Sequence, residues 1–367
     1  MNEPGIAAGA GMAPSADVAA GADVAGIGRV AVVGAGIIGL AIADELVRRG
    51  ADVTVYDTAP EGTGGAWHVA AGMLAPGGES TFEYPHLTRL LDAANELWPS
   101  YAAGLGDVGY DDAGTLGVAL TADDVAESAR EWKHQKLTPL TGSQLRDREP
   151  ALSPRVRAGV FAPSERQVDP RKVVAVLRGR LARAVVRKNI SDLSEVEADV
   201  VVVAAGCGTA ALTGLPIRPV KGQMIRLRGE PGLLRHVIDG MADGRHVYLV
   251  PRADGEVVIG ATQEERTDHT LTAGGVHELL RAALDLVPGL AEHDITEFTV
   301  GHRPGTPDNA PLLGFLDGSR RIVVAAGHYR NGVLLAPITA RLIAELVLTG
   351  SADPLLESFE PGRFGCA

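Results

Sequence analysis

The sequence predicts an α/β fold. A Rossmann-type domain built on a parallel sheet is expected, interleaved with a second domain of antiparallel sheet and helices. Three observations predict it. A strand, a glycine turn and a helix follow one another from Arg29, and a second strand ends on Asp57. Further apolar strand patterns lie at 198–205 and 321–326. Between these two, residues 219–262 alternate with a period of two and carry frequent turns, as antiparallel strands do.

Each element has its own signal. Residues 30–33 are a short apolar run of the kind a buried parallel strand shows. Residues 38–49 read as a helix that Gly50 closes, and residues 53–56 as the next strand. A glycine-rich loop occupies 61–79. Helical patterns follow at 86–98 and 122–136, and 157–161 is strand-like. Residues 170–184 are helical, with Asp169 at the N-cap. Later come a helix at 275–287, a strand at 295–300 and a final helix at 333–348. The expected dinucleotide domain comprises 29–84, 150–215 and 301–350. The second domain comprises 85–149 and 216–300. Residues 1–28 read as an Ala/Gly-rich disordered tail and 351–367 as a C-terminal tail.

Composition narrows the function. The chain has 367 residues, enough for two domains. Its 34 basic and 46 acidic residues give a net charge of −12, which repels phosphate backbones and argues against nucleic acid. Glycine contributes 46 residues, well above the usual share of about 7%. The longest apolar run, 30–43, is too short to span a membrane, and no Lys or Arg precedes Arg29 to make a secretory signal. Cys207 and Cys366 have no metal-type spacing. Reduced thiols in a cytoplasmic protein are the expectation, and a disulfide between them is the alternative. The ten histidines show no ligand spacing, so no metal is expected.

Gly34, Gly36 and Gly39 form G-x-G-x-x-G between strand and helix, and Asp57 lies 21 residues after Gly36. Gly34 permits the tight turn. Gly36 lets backbone approach a pyrophosphate at the helix N-terminus, where Ile37 and Ile38 follow. Gly39 lets helix and strand pack closely, and Asp57 takes ribose hydroxyls, with Thr58 beside it. This Rossmann-type unit does not by itself choose between nicotinamide and flavin dinucleotides.

The layout resembles the D-amino-acid-oxidase-like family of FAD-dependent oxidoreductases. Within it, AAGML (70–74), VKGQ (220–223), YLVPR (248–252), GHRPGTPDNAPLLG (301–314) and AAGHYRNGVLLAP (325–337) are similar to the glycine oxidases of thiamine biosynthesis, the ThiO type. The resemblance implies that Arg303 pairs with a substrate carboxylate, where the bland reading is a surface or ion-paired arginine. A guanidinium fork does match a carboxylate. It implies that the Tyr248 hydroxyl helps from the other side, against a core tyrosine, and that Arg330 lies near substrate and flavin, against a structural salt bridge. It places Ala66, Trp67, Ala71, Gly72 and Met73, the backbone at Ile190, Gly206, and the stretch His328, Tyr329, Asn331, Gly332, Val333 and Leu334 against FAD. Gln263 and His246 are expected in the substrate pocket.

Three departures stand out. Ala66, Trp67 and His68 replace the usual Thr/Ser before AAGM, Gln263 replaces the usual Met after GAT, and the chain is short between Ala184 and Ala198. No cysteine stands in GHRPGTPDN, so FAD is expected to be non-covalent. The implied reaction is oxidation of glycine, or of sarcosine or small D-amino acids, by oxygen, with peroxide released, in a homo-oligomer. A D-amino-acid dehydrogenase with another acceptor and a non-catalytic FAD-binding protein are the rival readings.

Overall fold

A computed structural model describes residues 28–59, 64–79 and 84–365. The chain opens with β1 (Arg29–Val33), α1 (Ile37–Arg48), β2 (Asp52–Asp57), α2 (Ala66–Val69), β3 (Met73–Leu74), α3 (Pro76–Glu79) and α4 (Pro85–Leu105). It continues through β4 (Thr115–Ala119), α5 (Ala122–His134), β5 (Leu140–Thr141), α6 (Gly142–Arg148), β6 (Ala158–Ala162), β7 (Arg166–Gln167) and α7 (Pro170–Arg180). Next are β8 (Val185–Arg187), β9 (Val200–Val203), α8 (Thr209–Thr213), β10 (Arg218–Arg228), β11 (Val237–Ala242), β12 (Arg245–Pro251), β13 (Glu256–Gly260) and α9 (Ala273–Leu286). The last are β14 (Asp294–Gly305), β15 (Leu312–Phe315), β16 (Ile322–Ala326) and α10 (Gly332–Thr349).

Two large sheets result. The smaller has six strands in the order β15-β16-β9-β1-β2-β8 and is parallel except for the β15–β16 pair. β1 sits at its centre, with Val32 opposite Val55 and Val202. All three valines are fully buried, as the apolar runs predict for strands covered on both faces. The second sheet has eight strands in the order β14-β10-β13-β12-β11-β4-β6-β5. Its pairs are antiparallel except β11–β4.

α1, α4 and α10 pack together over the smaller sheet. Trp98 of α4 is completely buried there, and its indole N–H donates to the Leu334 carbonyl at 2.9 Å. α10 is long and apolar enough for a membrane span, but most of it is buried in this core. α7 starts as its sequence predicts: the Asp169 side chain accepts from Arg171 N at 2.9 Å.

The structure departs from expectation in four places. α4 runs past Pro99 to Leu105, because Ala102 and Leu105 extend its buried face. β6 lies within 150–215, yet it pairs with β4 and β5 in the eight-stranded sheet rather than with the dinucleotide sheet. Likewise the first residues of 301–350 complete β14 of that sheet. Finally, residues after 350 are packed: Leu356 and Phe359 are buried, and Arg363 pairs with Asp308 at 2.9 Å. The expected N-terminal tail up to residue 27, and Cys366, fall outside the described residues.

Candidate active site

One cavity of about 1010 Å³ runs between the two sheets. That is dinucleotide size with room to spare. Its floor is the C-terminal edge of the parallel sheet. Gly34, Gly36, Ile37 and Ile38 line it at the start of α1, and Tyr56, Asp57 and Thr58 at the end of β2. Gly34 adopts φ +110°, and a Cβ there would sit 2.4 Å from the Ala204 carbonyl oxygen, so this turn accepts only glycine. Gly39 does not reach the cavity; a Cβ on it would stand 1.9 Å from the Gly34 oxygen, so its role is helix-to-turn packing.

Asp57 is already engaged. Its carboxylate accepts from Ala35 N at 2.5 Å and from Ala59 N at 2.7 Å. It therefore stiffens the glycine turn. Each carboxylate oxygen has a second lone pair left for a ligand. Beyond it, the short stretch after Ala184 forms β8, which pairs with β2, and then Lys188, Asn189, Ile190 and Ser191 line the cavity.

The middle of the cavity is bounded by Ala66, Trp67, Ala71, Gly72 and Met73 on one side and by Gly206 and 325–334 on the other. The 71–73 segment is held firmly. Met73 pairs with Gln167, and Arg252 donates to the Ala71 carbonyl and, at 2.8 Å, to Gln167 Oε1. His68 turns away from the cavity wall; its carbonyl accepts from Arg171 Nε at 2.8 Å. α10 begins at Gly332, just after His328, Tyr329 and Asn331. His328 is buried, contacts Thr339 Oγ1 at 3.1 Å, and is pushed down to about 3 by burial, so it is neutral at physiological pH.

The roof is one face of the eight-stranded sheet. Arg303 lies on β14, Gly222 and Met224 on β10, His246 and Tyr248 on β12, Asp239 and Met241 on β11. Thr115 and Gly117 of β4, then Val160 and Ala162 of β6, continue the row. Strand register assembles it: Tyr248 faces Asp239, Asp239 faces Gly117, and Gly117 faces Val160.

The Arg303 guanidinium lies flat across Gly222, where a Cβ would be 2.7 Å from Nη1 and 3.0 Å from Cζ. Nη1 donates to the Thr262 carbonyl at 3.3 Å and to the Lys221 carbonyl at 3.5 Å. Among the described residues no carboxylate pairs with it. The Tyr248 hydroxyl points at Met224 Sδ, 3.8 Å away, with the Arg303 charge nearby. Burial raises the phenol above its ordinary value against the nearby Arg303 and Arg330 charges, so it stays a donor at working pH. Arg330 lines the same cavity and lowers the Asp239 carboxyl.

Gln263 is the misplaced expectation. It lies on a separate, smaller pocket with Gly275 and Glu278, not on the cavity. β13 ends at Gly260, and beyond it the Thr262 carbonyl accepts from Arg303 while Gln263 lines the smaller pocket. Several wall residues carried no motif signal: Thr115, Trp132, Glu165 and Asp239. Glu165 is buried, beside Thr115 and the Gly77 backbone. Burial, reinforced by the Asp239 and Glu131 charges, pushes it up to about 8. Cys207 is half-buried, and burial raises its thiol to about 11. Among the described residues no three His, Cys, Asp or Glu side chains gather as a metal site.

Residues 29–346 match the DAO family, described as FAD dependent oxidoreductase. The chain is 35% identical to the bifunctional protein ThiO/ThiG of Synechocystis sp., over 91% of this chain and 54% of that protein. It thus spans about half the length of that relative and of similar bifunctional ones. It is 32% identical to the glycine oxidase of Geobacillus kaustophilus, over 87% of this chain and 92% of that one. The crystal structure of glycine oxidase from the same organism superposes with a TM-score of 0.83, covering 92% of this chain and 99% of the other at 30% identity.

Proposed function

The chain belongs to the DAO family of FAD-dependent oxidoreductases, and from that membership we propose that it oxidises the amine of glycine, and of sarcosine or small D-amino acids, to the imino acid. Oxygen takes the two electrons and two protons and leaves as hydrogen peroxide. Water then converts the imino acid to the oxo acid and ammonia or amine.

The residues present fit FAD. Gly34 packs the turn on the Ala204 backbone, Gly36 lines the cavity with nothing nearer a Cβ position than Trp67 at 3.7 Å, and the cavity is large enough for a dinucleotide. Gly36 and the N–H groups of Ile37 and Ile38 would hold the pyrophosphate, as helix N-termini hold anions. Asp57 and Thr58 would take the ribose, and the Ile190 loop the adenine. Ala66, Trp67 and Ala71–Met73, with Gly206 and the 328–334 turn opposite, would flank the ring system. The start of α10 would stabilise negative charge there. FAD, when bound, supplies the two-electron acceptor for an amine C–H bond. No cysteine side chain lines the described cavity wall, which supports a non-covalent cofactor.

The observation that carries the substrate reading is Arg303: a guanidinium on the cavity wall, with no carboxylate partner among the described residues, beside a phenol that donates. Two parallel hydrogen bonds from Arg303 and one from Tyr248 would fix an amino-acid carboxylate. The rest of the ligand is then oriented, and orientation supplies much of the rate. Asp239 and His246 would present polar atoms to the amine end of the site. A role in thiazole synthesis is proposed on likeness to the ThiO-type proteins alone.

The purified protein should be yellow and release FAD on denaturation. Anaerobic glycine should bleach it, and air should restore the colour with stoichiometric peroxide. Bleaching without peroxide, with turnover only on an artificial acceptor, would make it a dehydrogenase. Flavin that no small amino acid bleaches would refute the enzyme reading.

A further inference from the structure

We infer that Gln223 and Glu264 are positioning residues for Arg303, acting through the Thr262 carbonyl; the inference rests on the carboxylate role proposed for Arg303. β10 carries two sets of side chains. Gly222 and Met224 face the cavity, whereas Lys221 and Gln223 face the segment 262–272 and α9. Both of these polar side chains are almost wholly buried, at 0% and 1% exposure. Gln223 does not line the cavity, so any effect it has on substrate is indirect.

Both donors of its amide and the amide oxygen are engaged. Nε2 donates to Glu264 Oε1 at 2.7 Å and to Thr272 Oγ1 at 3.0 Å, and Oε1 accepts from Thr272 N at 2.9 Å. Its backbone N–H donates to Thr262 Oγ1 at 2.9 Å, and that hydroxyl donates on to Glu264 Oε1 at 2.8 Å. Lys221 adds a pin at Asp268, 2.9 Å away. The segment from Thr262 to Thr272 is therefore tied to β10 at both ends and in the middle.

This matters because the guanidinium rests on that segment. Arg303 Nη1 donates to the Thr262 carbonyl, and only the absent side chain of Gly222 lets it lie there. A carbonyl in a loop is a mobile support unless something fixes it. The V-K-G-Q run at 220–223 thus has one logic. Lys221 and Gln223 fix the support, Gly222 seats the guanidinium, and the resulting fork is aimed before a ligand arrives. Aim is worth much: an error of about 1 Å can cost on the order of a hundredfold.

The test uses holoenzyme and a probe that needs no turnover: acetate, titrated by its perturbation of the bound flavin's visible spectrum. Gln223→Met keeps the volume and removes the hydrogen bonds. It should weaken acetate and raise KM for glycine by about tenfold, the scale of one broken buried coupling. FAD content should be unchanged, and the limiting rate of anaerobic reduction should fall less than KM rises. Gln223→Glu sets two carboxylates together and should be worse. The swap Gln223→Glu with Glu264→Gln restores a donor and an acceptor and should return acetate binding to near wild type. Wild-type acetate binding and KM in Gln223→Met would overturn the inference. So would a swap variant that folds and holds FAD yet binds acetate no better than Gln223→Glu alone; the swap decides the matter if Gln223→Met does not fold. Wild-type enzyme that acetate leaves unperturbed and no small amino acid reduces would overturn the Arg303 reading itself, and this inference with it.

Discussion

His246 Nε2 stands 2.6 Å from Asp239 Oδ1, across neighbouring strands of the cavity roof. Each group biases the other. The Asp239 charge raises the imidazole above its ordinary value, against burial and the Arg330 charge. Burial pushes the Asp239 carboxyl up, but His246 and Arg330 outweigh it and hold the carboxyl below the usual range.

Stability should follow these signs. A raised histidine contributes fully below its unfolded value of about 6.5 and loses that contribution as pH rises through its folded value. The Asp239 contribution is present above about 3.9 and is lost as pH falls through its depressed value. His246→Gln should therefore melt below wild type near pH 6, with the gap closing on the alkaline side. Melting temperatures from pH 5 to pH 9 check this, and a constant gap would show that the pair has no ionic component.

Glu165 has the opposite sign. Its folded value, about 8, lies above the ordinary carboxyl value, so the buried site penalises ionisation. Wild type should lose stability steadily as pH climbs from about 4.5 to 8, and the loss should level off above that. Glu165→Gln stays neutral and should become more stable than wild type over that window. Parallel melting curves at all pH values would place the titration elsewhere.

Arg303→Lys keeps the charge and should still cripple turnover. A lysine ammonium is a point charge and cannot supply a parallel fork. The rate of anaerobic flavin bleaching by glycine should fall on the order of a hundredfold, while FAD content stays normal. Near wild-type bleaching, with saturation at similar glycine, would make Arg303 structural.

Asp57→Ala should loosen the cofactor more than the substrate. The proposed ribose contact would lose its charged acceptor, and a hydrogen bond to a charged group contributes roughly 1.5–3 kcal/mol. FAD affinity should drop about ten- to hundredfold. An unchanged FAD titration would remove Asp57 from the cofactor site.

Much of this was legible in the sequence because glycines and apolar runs are local signals. Gly34, Gly36 and Gly39 marked the turn, and 198–205 and 321–326 marked β9 and β16. What escaped depended on distant partners. β8 is only Val185–Arg187, set among basic residues, and exists because β2 offers it an edge. β4 is a strand because β11 and β6 flank it, and its Thr115 and Gly117 meet the cavity only in that register. Gln263 shows the limit most sharply. Its neighbour Thr262 takes part in the site through a backbone carbonyl, which no side-chain pattern records, and a shift of one residue sends a side chain to the opposite face. Long motifs surround Arg303 and Tyr248, and both line the cavity. Glu165 stood in no motif, and only the fold brings it to the wall.

The roof also works as a ruler. Adjacent strands are about 4.8 Å apart, and the cavity-facing row crosses them in fixed order. A ligand held as proposed by Arg303 and Tyr248 would meet β11 one graduation later at Asp239, then β4 at Thr115 and Gly117, then β6 at Val160 and Ala162. Ligand length is thereby converted into strand number. The proposed grip and the far graduations sit on different strands, so a change at Val160 or Ala162 would alter the ligand length the cavity admits and leave the Arg303 end in place.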